Sequence, residues 1–102
     1  NINYMFDFFT NYGTYLNSKS LPTLQRSAEF LKSIGGSANG NVYRKYLAVS
    51  TLIKIAEDLR SRQESTGDGN AGELAGSVSR MIADIVKNES DPMLRERYGD
   101  IK

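Results

Sequence analysis

Between Ser20 and Asn88 the apolar residues return every third or fourth position, and no stretch keeps up an alternation of every second one. That spacing excludes a half-buried strand and admits a helix with one apolar face. It predicts an all-α chain throughout: a compact bundle of four helices plus a short C-terminal helix.

The punctuation between the periodic stretches supports this division. Ser20 with Pro22 predicts a helix start, because proline in a first turn gives up an N–H that has no partner there anyway. Leu21, Leu24, Ala28, Leu31 and Ile34 form the stripe that follows. Gly35 is the expected left-handed terminator. Asn41 is a good cap for a helix over 42–62, about 30 Å long, with a seam of Val42, Tyr46, Val49, Ile53 and Ala56, widened by Leu52 and Leu59. Asn70, followed three residues later by Glu73, predicts the cap of the next helix, which Leu74, Val78, Met81, Ile82 and Ile85 carry to about Asn88. Asp91 and Pro92 restart a last helix, which Gly99 is expected to end.

The N-terminal stretch is the most unusual. Ile2, Met5, Phe6, Phe9, Tyr12 and Leu16 make one helical face, and Tyr4, Phe8 and Tyr15 make a second. Six of the ten aromatic residues lie within the first fifteen positions. A helix apolar on two sides is either central in a bundle or shared with another chain. Membrane-surface binding is disfavoured, since no cationic residue precedes Lys19.

Composition removes several chemistries. The 102 residues include no cysteine and no histidine, so thiolate sites, disulfides and the commonest general base and metal ligand are missing. The length fits one helical domain over 1–102. A start at Asn1 instead of Met points to a processed protein or an excised part of a longer one. No stretch approaches the roughly 20 apolar residues of a membrane span. The net charge of +1 sets up no global field. It hides a basic middle, residues 41–63 at +3, and an acidic end, residues 64–102 at −3, which could attract each other within one molecule or between copies.

Three glycine-containing or charged stretches raise the question of a site. In GGSANGNVYRK, Gly35 and Gly40 have the spacing of a phosphate-binding P-loop, but Asn41 and Val42 stand where lysine and a hydroxyl residue belong, and no strand precedes the loop. A weaker anion site remains at the helix start, from free N–H groups with Arg44 and Lys45. GDGNAGE lacks the fifth-position ligand and the final glutamate of a calcium loop, so no metal is expected. No GxSxG occurs, and the adjacent Glu57 and Asp58 point apart on a helix. No catalytic residue and no cofactor are expected, and the chain reads as a non-enzymatic protein.

Two functions are left. The first is protein–protein association, by self-assembly or with a partner, through Tyr4, Phe8, Tyr12 and Tyr15, since aromatics dominate binding hot spots. The alternative is a nucleic-acid-associated structural or accessory protein that holds phosphates through Asn41, Tyr43, Arg44, Lys45, Arg60 and Arg62. Against it, the basic groups cluster at the two ends of their helix. The ridge of Ala71, Ala75, Ser79 and Ala83, beside Gly72 and Gly76, predicts a close helix approach, within the bundle before any dimer seam.

Overall fold

The computed structural model describes residues 20–37 and 40–100. Within them the chain is an all-α globule of four helices, the last one short: α1 (Leu21–Gly35), α2 (Val42–Thr66), α3 (Gly69–Asn88) and α4 (Pro92–Asp100). The aromatic helix expected over 2–16 lies outside the described residues, so the predicted count of five is matched by four here.

α2 is the organising element. It packs most extensively on α3, then on α1, and α4 also rests on it. Ala48, Val49, Leu52, Ile55, Ala56 and Leu59 are all at most 1% exposed. Val49 and Ala56 of the expected seam, with Leu52 and Leu59 beside it, are thus buried as expected, whereas Val42, Tyr46 and Ile53 are only partly buried and Ala48 and Ile55 join the core. α2 touches helices on more than one side, so a broad arc is apolar and periodicity alone does not locate its centre. Leu24, Ala28 and Leu31 of α1 fall where the stripe puts them, as do Leu74, Val78 and Ile85 of α3. Each fully buried leucine or isoleucine contributes about 1.5–3 kcal/mol.

The helix ends follow local chemistry, with four corrections. Asn41 caps α2 as expected, its Oδ1 accepting from Tyr43 N–H at 2.9 Å and Arg44 N–H at 3.3 Å. Asp91 caps α4 the same way, accepting from Met93 N–H at 2.9 Å. The first correction is that α2 continues to Thr66 and Asp68, not Asn70, caps α3, accepting from Asn70 N–H at 3.0 Å. Gly67 at φ 73° reverses the chain so tightly that α3 starts two residues early. Second, Gly35 is not the left-handed terminator; it lies inside α1, where an added Cβ would meet Ile85 Cδ1 at 3.1 Å and Val49 Cγ2 at 3.4 Å. Its service is close helix approach. Third, Ser20 makes no side-chain bond to the backbone of α1 but pairs with Thr23 Oγ1 at 3.0 Å. Fourth, Gly99 does not end α4, which runs on to Asp100.

The first half of the small-residue ridge packs within the bundle, while Ala83 at its end is exposed. Ala71 and Ala75 are buried, and Arg60 of α2 donates to Ser79 Oγ.

Candidate functional site

Two features meet where the start of α2 faces the α3–α4 junction. One is a buried ion pair. Lys45 sits on α2 about one turn before the buried Ala48. Its Nζ reaches Glu89 Oε1 at 2.7 Å, with the two side chains 9% and 4% exposed. Glu89 is the residue that closes α3, and its Oε2 also accepts from Asp91 N–H at 3.1 Å. Burial pushes the Glu89 carboxyl up, but the bonds from Lys45 and the Asp91 amide, with the Lys45 charge, outweigh it and hold the group below its ordinary value. The pair realises, inside one molecule, the attraction between basic middle and acidic end. A cleft of about 320 Å³ opens beside it, lined also by Lys32, Asp84 and Asn88.

The other feature is a largely apolar groove of about 420 Å³ between α2 and α4, lined by Val42, Tyr43, Tyr46, Leu47 and Met93 together with Asp91 and Arg97. Tyr43 is 48% exposed and Met93 59% exposed. Behind the groove, Leu94 and Tyr98 anchor α4 in the core. The Tyr98 hydroxyl is buried without a hydrogen-bond partner among the described residues. Burial first, then the nearby charges of Glu89 and Asp91, push its pKa up to about 12.

The residues expected to hold an anion do not converge. Lys45 is internal and already paired, which takes it out of a surface phosphate set. The N–H groups of Tyr43 and Arg44 are spent on Asn41. Arg44 and Tyr43 are exposed, while Arg60 and Arg62 stand about 24 Å further along α2. Arg60 is bonded to Ser79, and Arg62 is partly buried with an interaction of its own. Tyr4, Phe8, Tyr12 and Tyr15 lie outside the described residues.

The groove and the ion pair were both missed in the sequence. Spacing gave no unique signal for Lys45, since one turn back from Ala48 falls on Arg44 or Lys45 alike. None existed for Glu89 as its partner. Among the described residues no cluster of acids suits a metal ion, and no helix is long and apolar enough to cross a membrane. Compared with protein-family models, curated proteins and solved structures, the chain matches none.

Proposed function

We propose that this chain is a non-enzymatic association module, working by self-assembly or by docking to a protein partner through Tyr4, Phe8, Tyr12 and Tyr15. The observation that supports the reading most is the quality of the core formed by α1–α4. Leu24, Leu31, Leu52, Ile55, Leu59 and Val78 are all nearly inaccessible within one continuous cluster. The largely apolar groove of Val42, Tyr43, Tyr46, Leu47 and Met93 has room for a few rings. A segment with six rings on two helical faces exceeds that room, and the surplus face is suited to another protein. The phosphate reading loses Lys45 to the ion pair, so association is the reading retained.

Light scattering across a concentration series tests it, comparing the native chain with the double substitution Tyr4→Ala and Phe8→Ala. A hot-spot aromatic contributes about 2 kcal/mol or more, so each substitution should weaken association by roughly 30-fold and the pair by more, while helicity persists. A native chain that stays monomeric at every concentration, with solubility unchanged by both substitutions, refutes the proposal.

A further inference from the structure

The groove between α2 and α4 is a self-complementary surface. Val42, Tyr46 and Leu47 of α2 and Met93 of α4 make it largely apolar. Three large apolar side chains are exposed among the described residues, and two of them, Tyr43 and Met93, stand at this groove. Exposed apolar groups gathered in one place mark an association surface, and tyrosine and methionine are enriched in interface cores. The two other lining residues, Asp91 and Arg97, carry opposite charges. Arg97 is exposed and makes no ion pair among the described residues. Asp91 uses Oδ1 to cap α4.

The order of these charges decides what fits. Asp91 stands at the start of α4 and Arg97 six residues later, about 9 Å further along its axis. A two-fold axis crossing α4 at the level of Leu94 sets two copies of α4 antiparallel. Arg97 of one protomer then stands opposite the partner's Asp91, and Asp91 opposite the partner's Arg97. The same rotation lays groove against groove between the two pairs. One acid and one base on a patch cancel, so the patch sets up no field that selects a strongly acidic or basic partner. A second copy carries the required complement by symmetry.

We propose that the α2–α4 groove is the contact of an isologous dimer, with Val42, Tyr43, Tyr46, Leu47 and Met93 at its apolar centre and two Asp91–Arg97 pairs between the protomers. The inference rests on the association reading for the work the chain does, and it names the partner as a second copy held through residues other than Tyr4, Phe8, Tyr12 and Tyr15.

Light scattering across a concentration series reads the dimer, and circular dichroism checks the fold of each variant. Tyr43, Met93 and Arg97 are exposed, so changing them spares the core. Arg97→Asp sets acid against acid at both pairs and should raise the dimer dissociation constant about tenfold or more. Tyr43→Ala with Met93→Ala should do the same by emptying the apolar centre. Asp91→Asn removes the acid but keeps a capping side chain. Chains carrying Arg97→Asp and chains carrying Asp91→Asn, which differ in mass, are mixed in equal amounts and counted by native mass spectrometry. Only the mixed dimer holds an attractive pair, so it should exceed the share of about half that random pairing gives.

A native chain that stays monomeric at every concentration overturns the proposal. So does association that neither Arg97→Asp nor Tyr43→Ala with Met93→Ala weakens, or a mixed dimer at or below half of the total. Association that falls only with Tyr4→Ala and Phe8→Ala overturns this contact and leaves the association reading standing. Association that falls only with the groove variants supports the contact and removes Tyr4 and Phe8 from that reading.

Discussion

Replacing Glu89 by alanine leaves the ammonium of Lys45 enclosed beside α3 with no counter-charge. At present that ammonium lies 2.7 Å from the carboxylate, and both side chains are at least nine-tenths hidden from solvent. Removing one member of such a pair costs about 3–5 kcal/mol, because the survivor keeps its desolvation penalty and loses its compensation. Lys45 and Glu89 both border the open cleft beside α3, which gives the stranded ammonium a route to water, so the lower end, about 3 kcal/mol, is expected. Total stability for a domain of this size is about 5–15 kcal/mol. The melting temperature should then fall by about 12 °C or more. Lys45→Met should cost a similar amount by stranding Glu89. The double substitution Lys45→Met with Glu89→Met should recover most of the loss, since an apolar pair of similar volume replaces a buried ion pair at little or no cost. Urea unfolding followed by circular dichroism, run as a double-mutant cycle, gives the coupling directly. Single substitutions that each cost under about 1 kcal/mol, adding without coupling, would put the pair in the class of exposed surface bridges and refute this account of the α2–α3–α4 junction.

Titration should reveal the same junction from both ends of the pH scale. Glu89 is held below its ordinary value of 4.5, so its contribution is full above about that pH and is lost as pH falls through the depressed folded value; Glu89→Gln should flatten this acid limb of the unfolding profile. Tyr98 is raised from 10.0 to about 12, so its contribution is intact below pH 10 and fades as pH climbs toward 12. Tyr98→Phe should remove that alkaline loss and leave neutral-pH stability unchanged or higher by up to about 1 kcal/mol, because the buried hydroxyl has no partner among the described residues. A clear destabilisation by Tyr98→Phe in thermal melts would show that the hydroxyl is satisfied. Gly67→Ala forces a side chain into φ 73° and should destabilise by about 1–2 kcal/mol in urea, although a Cβ there meets nothing within 4 Å; no loss would mean the turn relaxes.

Most of the helical architecture after Ser20 was legible because its signals are local. Asn41 and Asp91 accept from amides two or three residues away, Pro92 gives up an N–H that the first turn leaves unpaired, and the stripes of α1 and α3 follow a single helical period. The errors share that origin. Asn70 with Glu73 satisfied a capping pattern, yet Asp68 lay two residues nearer a left-handed glycine and took the amides first. Gly35 matched a helix terminator by position, while its real constraint comes from Ile85, fifty residues later in the chain.

The sequence alone settled that the described residues are helical, where α2 and α4 begin, and that thiol and imidazole chemistry are absent. Tertiary structure alone decided which flank of α2 is innermost, that Lys45 is a structural cation instead of a surface one, and that Met93 and Tyr43 border a common groove. The physical reason is range. Caps and periodicity are set by neighbours within one or two turns, whereas burial and ion pairing depend on which distant residue arrives opposite, as Glu89 does for Lys45.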